Sequence, residues 1–186
     1  LVGSVRHSYL VVERSEALYL IDQHAAHERQ LFEQVIAAAS SASQGLLVPY
    51  TLELNRAEAL LAQPWLEELK TIGFGIEPFG GAELLITAVP AALGHRAGDR
   101  RLLVQVVEDL LRDRDGIGKV ADVRDKLAKT IACKAAIKAG EPLQPQEQLA
   151  LCDFVFGDPP RWTCPHGRPI CWKITWDDLA HRLART

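Results

Sequence analysis

The alternation of apolar and polar residues predicts a β-hairpin at the start of the chain, followed at once by a helix. Residues 4–12 are rich in β-branched and apolar side chains, and the polar run at 13–16 predicts a turn into a second strand at 17–21. Apolar spacings of three and four then predict a helix over 23–39, ended by the Ser, Ala and Gly residues of 40–45.

The middle of the chain continues this mixture of strands and helices. Residues 50–54 predict a strand, and Asn55 with Glu58 predicts a capping box that begins a helix reaching about residue 70. Pro64 lies inside that helical pattern, so we expect a kink or a break there.

The rest of the chain predicts one more hairpin, several helices and a late strand. Because strands and helices do not alternate as regular βαβ units, the fold class that we expect is α+β. The remaining predicted elements are a hairpin at 74–79 and 83–89, a helix from 101, a break at 115–118, helices at 120–139 and 145–156, a strand at 168–176, and a helix at 177–185 capped by Thr175.

Composition places the chain among ordinary globular proteins. Hydrophobic residues make up 48% and charged residues 24% of its 186 residues, and no apolar run approaches the roughly 18–20 residues of a membrane span. We therefore expect no membrane partner and a cytoplasmic location. The chain has no methionine, so it lacks an initiator, which indicates a piece cut from a longer protein.

Charge argues against a strongly basic nucleic-acid binder that works alone. The net charge is −3, and the basic residues between Lys119 and Lys138 are interpreted first as a solvated helix face. Any contact with duplex DNA is expected to be weak and sensitive to salt.

Two of the four cysteines are candidates for core packing, and two are candidate metal ligands. Without a secretory signal we expect reduced thiols rather than disulfides. Cys152 and Cys171 lie in apolar patterns, which favours core packing, whereas Cys133 and Cys164 are candidate metal ligands.

A run of acidic and imidazole groups follows the second strand. His24 and Glu28 stand four residues apart, on one face of the predicted helix, and both side chains can ligate a zinc-like metal. An exposed helix start, where the helix dipole favours glutamate, is the alternative for His24 and Glu28, and an N-cap is the alternative for Asp22. Far downstream, a short turn adds a thiolate and an imidazole. The candidate ligands are Asp22, His24, Glu28, Cys133, Cys164 and His166.

Six candidate ligands exceed the four that one tetrahedral zinc needs. They are consistent with two metals, or with one metal and an outer shell of supporting residues. Paired metals are a recurrent device for phosphodiester hydrolysis, in which one ion activates water and the other stabilises the leaving oxygen.

Three ordered motifs resemble the MutL family of mismatch-repair proteins. Residues 22–33 resemble its D-Q-H-A-x-x-E-x-x-x-x-E endonuclease motif, and residues 132–140 resemble a second block in which an arginine often stands where this chain has Lys134. Residues 164–169 match a third block, C-P-H-G-R-P. The resemblance spans nearly the whole chain and implies the C-terminal domain of the family in its nuclease-competent form.

The resemblance implies a metal-dependent endonuclease that nicks duplex DNA. It implies catalytic roles for Asp22, His24 and Glu28, and support from Glu33 and Arg168, whereas His27 is expected to face solvent. The implied cofactors are bound Zn²⁺ and an activating Mn²⁺ or Mg²⁺. The implied organisation is a dimerisation subdomain, residues 1–45 with 140–186, and a regulatory subdomain, residues 46–139.

The resemblance also implies partners. Gln44, Leu47 and Pro49 resemble the Q-x-x-[LI]-x-P motif that binds the replication sliding clamp, although a plain linker before a buried strand is the alternative. A homodimer is expected, as is a mismatch-recognition protein that acts through the full-length protein. Apolar residues near the C-terminal end fit a dimer interface or equally a monomer core: Ile170, Trp172, Ile174, Trp176, Leu179 and Leu183.

Two other functions remain open from the sequence. The first is a non-catalytic dimerisation module with a structural or regulatory zinc site. The second, less favoured, is a metallohydrolase for small substrates, because the chain has no Gly-rich phosphate loop.

Overall fold

The computed structural model describes residues 1–37, 43–112 and 120–185. The fold is α+β, as the sequence predicts. In chain order its elements are β1 (Gly3–Val5), β2 (Tyr9–Arg14), β3 (Ala17–Asp22), α1 (Gln23–Ala37), β4 (Ser43–Glu53), α2 (Arg56–Thr71), β5 (Gly75–Pro78), β6 (Glu83–Pro90), a 3-10 helix (Ala91–Gly98), α3 (Arg100–Arg112), α4 (Val120–Ala135), α5 (Pro145–Val155), β7 (Cys171–Thr175) and α6 (Trp176–Arg182).

The chain forms two compact units. The first unit comprises residues 1–30 and 136–186, and the second unit comprises residues 31–135. The first unit is therefore built from both ends of the chain. The dimerisation and regulatory roles that the sequence suggests for 1–45 with 140–186 and for 46–139 stay predictions.

The first unit is organised around an antiparallel sheet in the order β1-β2-β3-β7. Strict alternation along β3 buries Ala17, Tyr19 and Ile21 on one face, as expected for a half-buried strand. That face packs with residues of α5 and of the segment before β7 into one core: Leu10, Val12, Ala17, Tyr19, Ile21, Ala25, Ala26, Leu151, Cys152, Val155, Cys164 and Ile170. A candidate metal ligand, Cys164, is thus part of this core.

The helix ends of the first unit follow the sequence signals. Thr175 caps α6 by accepting a hydrogen bond from the Asp178 backbone N–H, as predicted. Cys152 is buried, as expected for a core thiol, and burial raises its pKa.

The second unit contains a three-stranded sheet in the order β4-β6-β5. The predicted hairpin of β5 and β6 is confirmed, and so is the capping box of Asn55 and Glu58 at the start of α2. β4 begins at Ser43, earlier than the predicted strand at 50–54. The predicted break at 115–118 lies outside the described residues.

Of the kink or break expected at Pro64, the break is wrong. α2 runs without interruption from Arg56 to Thr71. A proline in a helix interior removes one backbone hydrogen bond. Burial of Ala62, Leu66 and Leu69 along the helix stabilises its turns around the proline and offsets that loss.

Within the described parts of the chain, no helix combines the length and the apolar character needed to cross a membrane.

Candidate metal centre

The strand-to-helix junction at Asp22 and Gln23 begins the site. The Asp22 backbone N–H donates to the Ile170 carbonyl at 2.8 Å, which ties the end of β3 to the segment before β7. Asp22 Oδ1 accepts hydrogen bonds from the backbone N–H groups of His24 (2.9 Å) and Ala25 (3.1 Å). Asp22 therefore caps α1 through its Oδ1, as the N-cap interpretation predicts.

A tight turn carries the second half of the site. The Gly167 N–H donates to the Cys164 carbonyl at 2.9 Å, and Gly167 adopts a φ of +79° that glycine accommodates without strain. The Cys164 N–H donates in turn to the Arg168 carbonyl at 2.9 Å. The base of the turn is held by the Ile170 N–H, which donates to the Trp162 carbonyl at 2.8 Å. Backbone bonds on both sides thus fix the positions of Cys164 and His166.

The fold brings Glu28 together with Cys164 and His166. One ligand atom from each of the three lies within 4.8 Å of the others, so the three side chains form a group that could hold a metal ion. Thiolate, imidazole and carboxylate are the donors that zinc prefers. Glu28 and Cys164 are buried and His166 is exposed, which gives the group one open side.

Glu28 is the acidic residue of this group, and it is fully buried. Its Oε1 lies 2.8 Å from His166 Nδ1, without hydrogen-bond geometry, and its Oε2 has no hydrogen-bond partner among the described residues. A buried carboxylate that lacks hydrogen bonds is costly unless a cation compensates it. The unsatisfied oxygen therefore fits a metal ion at this place.

His24 and His27 both contact the backbone of Ile137. His24 Nδ1 lies 2.7 Å from the Ile137 carbonyl, and the Ile137 N–H donates to His27 Nδ1 at 3.0 Å. The expectation that His27 faces solvent is wrong, since its ring is half-buried and accepts this bond. No local sequence pattern predicts this contact, because Ile137 stands 110 positions away along the chain.

The remaining candidate residues are not members of the group of three. Asp22 and His24 stand at the start of α1, outside the set of atoms within 4.8 Å. Cys133 is half-buried on α4, and Glu33 is half-buried on α1; both belong to the second unit. Arg168 has an exposed side chain and contributes its carbonyl to the turn. Their roles at a metal stay predictions.

Gln23 is a polar residue that sequence reasoning did not single out. Its side chain is 1% exposed, and neither its Oε1 nor its Nε2 has a hydrogen-bond partner in the described structure. Its neighbours in the motif are titratable side chains that can ligate a metal, whereas an uncharged amide side chain does not by itself indicate a functional role.

An apolar cleft lies on the outer face of the first-unit sheet, next to Asp22. The cleft has a volume of about 340 Å³ and is lined by Val5, Tyr9, Leu20, Asp22, Pro169, Ile170, Cys171 and Trp172. Trp172 is 59% exposed, and Tyr9 and Val5 are nearly as open. Cys171 is half-buried here, and burial raises the pKa of its thiol to about 11, so it is a neutral thiol at ordinary pH.

In the second unit, the segment that resembles a clamp-binding motif bulges out of β4. The ladder with β6 pairs Gln44 with Val89 and Gly45 with Ala88, then breaks and resumes at Tyr50. Between these positions Leu47 is fully exposed and Val48 is 78% exposed. Two adjacent exposed apolar side chains are thus available for contact with a partner.

Comparison with known proteins gives one family throughout. A family model described as the MutL C terminal dimerisation domain matches residues 2–143. The chain is 44% identical over 191 residues to a DNA mismatch repair protein MutL of Symbiobacterium thermophilum, covering 99% of this chain and 30% of that protein. Proteins of the same name from Syntrophobacter fumaroxidans and Methanothrix thermoacetophila are each 37% identical, with 100% of this chain covered. The chain spans 27% and 33% of their lengths, respectively.

Proposed function

The chain belongs to the MutL C terminal dimerisation domain family, and from that premise we propose that it is a metal-dependent endonuclease that nicks duplex DNA in mismatch repair. The observation that carries the proposal is the buried carboxylate of Glu28 beside Cys164 and His166. A bound cation would offset the cost of a buried carboxylate without hydrogen bonds, whereas a dimerisation surface alone gives no reason for one at this place.

In this proposal the three grouped side chains hold the metal, and His24 and Asp22 complete the site. A bound divalent ion would lower the pKa of a water molecule and stabilise the charge that develops on the phosphate. Glu28 supplies the negative charge that retains the ion, and the buried Cys164 thiolate fixes it against the core. The exposed side at His166 leaves room for a DNA backbone to approach.

Nicking of supercoiled plasmid DNA tests the proposal directly. The protein, extended by its N-terminal region if the isolated chain is inactive, would be assayed with Zn²⁺, Mn²⁺ and Mg²⁺ separately. We expect metal-dependent conversion to the open circle, abolished in Glu28→Gln and in Glu28→Lys. Glu67→Gln is the matched control, because that glutamate is exposed and pairs only with Lys70 among the described contacts. Nicking retained by Glu28→Gln would contradict the assignment of Glu28 to a catalytic metal centre.

Zinc is the proposed resident ion, and Mn²⁺ or Mg²⁺ the proposed activating ion. A site that contains thiolate and imidazole selects zinc over the harder cations, which prefer oxygen ligands. Whether one or two ions bind follows from elemental mass spectrometry of protein purified without chelator. A ratio near two per chain supports a paired centre, and a ratio near one supports a single zinc joined by a second ion during the reaction.

The first unit is proposed to dimerise through the outer face of its sheet. That face exposes Tyr9 and Trp172, and large exposed aromatic side chains are enriched at protein interfaces. Trp172→Lys is expected to convert the dimer into a monomer in light scattering at micromolar concentration. Lys173→Ala, a change at an exposed neighbour on the same strand, is the control. A dimer that survives Trp172→Lys would exclude this face.

The bulged segment of β4 is proposed to bind the replication sliding clamp as an extended peptide. Gln44, Leu47 and Pro49 are all exposed, which a peptide that inserts into a hydrophobic pocket requires. A mismatch-recognition partner and a cytoplasmic location are proposed for the full-length protein; the chain spans about a third or less of the length of its MutL relatives.

A non-catalytic zinc module remains the second candidate function. The observation in its favour is that Cys164 is part of the hydrophobic core of the first unit. A structural zinc would make folding depend on the metal. Chelation that unfolds the protein favours this candidate, whereas chelation that removes nicking and leaves the helical circular dichroism spectrum intact favours the nuclease.

A further inference from the structure

Two histidines of α1 share one residue, Ile137, as a hydrogen-bond partner. His24 Nδ1 and the Ile137 carbonyl are 2.7 Å apart, and the Ile137 N–H donates to His27 Nδ1 at 3.0 Å. All three residues belong to the first unit. The backbone of Ile137 is thus held from both sides by neighbouring turns of the same helix.

The two contacts assign opposite tautomers to the two rings. A carbonyl oxygen can only accept, so His24 donates from Nδ1, and in the neutral ring the lone pair is then on Nε2. A backbone N–H can only donate, so the lone pair of His27 is on Nδ1. Because both partners are backbone groups, neither assignment depends on the protonation of another side chain.

Ile137 has a specific need for the bond from His27. It follows the end of α4 at Ala135, is itself 5% exposed, and has no place in a helix or strand ladder. A buried backbone N–H without a partner is costly, because it gives up its hydrogen bond to water and gains none in exchange. His27 supplies the acceptor and thereby holds the Ile137 backbone against α1.

We propose that His27 is a positioning residue for the metal centre: it holds Ile137 where the Ile137 carbonyl fixes the ring of His24, so that His24 Nε2 is kept for the metal. The inference rests on the proposed function, since it takes His24 as a ligand. Metal-binding histidines commonly donate their other ring N–H to a backbone carbonyl, which fixes the tautomer and raises the basicity of the ligand. His27 adds one link to that arrangement, by holding the carbonyl itself.

Two substitutions separate the hydrogen bond from the bulk of the ring. His27→Phe keeps a flat ring but removes the acceptor. His27→Asn keeps an acceptor, because its Oδ1 is attached at the same branch point as the Nδ1 of histidine. A role in packing alone would favour the phenylalanine variant, whereas the proposed role favours the asparagine variant.

The first readout is zinc affinity, measured by competition with a chromophoric chelator. Supporting residues of this kind change metal affinity by about 10–100-fold. We expect His27→Phe to weaken zinc binding by about 10-fold or more, and His27→Asn to stay within about 3-fold of the wild type. Equal affinities in the wild type and His27→Phe would overturn the proposal, as would a loss in both variants.

The second readout needs no metal and is independent of the nuclease proposal. Long-range ¹H–¹⁵N correlation spectra of metal-free protein, near pH 8, report which ring nitrogen of His24 carries the proton. We expect one tautomer, protonated on Nδ1, in the wild type and in His27→Asn, and a mixture in His27→Phe. A His24 ring protonated on Nε2 in the wild type would overturn the inference even if His27→Phe failed to fold.

A third variant distinguishes failure of this inference from failure of the metal site. If His24→Ala binds zinc as tightly as the wild type while Glu28→Gln does not, the metal centre stands and the positioning role of His27 is wrong. If His24→Ala and Glu28→Gln both lose zinc, and His27→Phe weakens it, both proposals are supported.

Discussion

The first unit buries two of its candidate metal ligands, whereas the second unit exposes the segment that resembles a clamp-binding motif. In the first unit Glu28 and Cys164 are buried, and a turn with backbone bonds on both sides fixes His166. In the second unit Leu47 stands fully exposed on a bulge of β4 that has left its ladder with β6.

The contrast separates two ways in which a sequence encodes a function. A metal centre requires side chains from distant parts of the chain at fixed distances, so its ligands are held by the core and by backbone hydrogen bonds. A docking peptide requires only that its side chains be free to enter a partner, so a short exposed segment suffices. Substitutions in the two places should therefore have separable effects.

The largest effect is expected from Cys164→Ser. The change removes the thiolate ligand, and since residues in the outer shell alone alter affinity by about 10–100-fold, we expect zinc affinity to fall at least about 100-fold. Binding of the clamp should be unchanged. The matched control is Cys152→Ser, because Cys152 is a buried thiol of the same core that is not in the grouped ligands. Similar zinc losses in both variants would mean that core damage, and not ligation, is being measured.

Removal of the metal should destabilise the protein by an intermediate amount. Zinc held at 100 times its Kd stabilises a protein by about 2.7 kcal/mol, which corresponds to about 5–10 °C in Tm for a chain of this size. Differential scanning calorimetry with and without chelator checks the shift, and Glu28→Gln should show none. A shift of equal size in Glu28→Gln would place the ion elsewhere.

A smaller effect, confined to the partner, is expected from Leu47→Asp. A central anchor residue contributes about 2 kcal/mol or more to a peptide interface, so clamp affinity should fall about 30-fold in surface plasmon resonance. Stability should remain within about 0.5 kcal/mol, because the side chain is fully exposed. Val48→Asp introduces the same charge at the next exposed position and should weaken binding less. If both variants bind the clamp like the wild type, this segment is not the docking site.

The smallest effects are expected from two tyrosines. The hydroxyl of Tyr50, in the second unit, is buried without a hydrogen-bond partner in the described structure, so Tyr50→Phe should leave stability unchanged or raise it by up to about 1 kcal/mol. Tyr19, in the first unit, donates to Glu16 Oε1 at 2.8 Å, so Tyr19→Phe should lower stability by about 0.5–1.5 kcal/mol. Urea denaturation measures both changes, and the opposite order would contradict this account of the two hydroxyls.

The same tyrosine predicts how stability responds to alkali. Burial raises the pKa of Tyr50 well above its usual value of about 10, so above that pH the unfolded state loses a proton that the folded state keeps. Stability should therefore fall as the pH rises beyond about 10, and it should fall less steeply in Tyr50→Phe. Identical slopes would show that Tyr50 does not ionise differently in the two states.

The sequence predicts the fold where local signals are strong. The capping box at Asn55 and the cap at Thr175 were predicted because each depends on residues three apart. It fails where burial outweighs a local signal, as with the break expected at Pro64, in a helix stabilised by burial of Leu66 and Leu69. The start of β4 was missed because its exposed, Gly-containing first half shows no alternation.

The candidate site shows the same division. Motifs identified Glu28, Cys164 and His166 by name, but their convergence depends on the hydrogen bond from Asp22 to Ile170 and on the turn at Gly167, which no local pattern states. The variable motif position of His27 predicts a solvent-facing ring, whereas the structure pairs it with Ile137, 110 positions away along the chain.

Metal content per chain tests the central claim most directly. Elemental mass spectrometry of wild-type protein and of Glu28→Gln, both purified without chelator, compares the number of zinc ions retained by each. The account predicts at least one zinc per wild-type chain and a loss of that zinc in Glu28→Gln, with an unchanged circular dichroism spectrum. Equal zinc in the two proteins, or none in the wild type even after zinc is added, would contradict a metal centre at Glu28, Cys164 and His166.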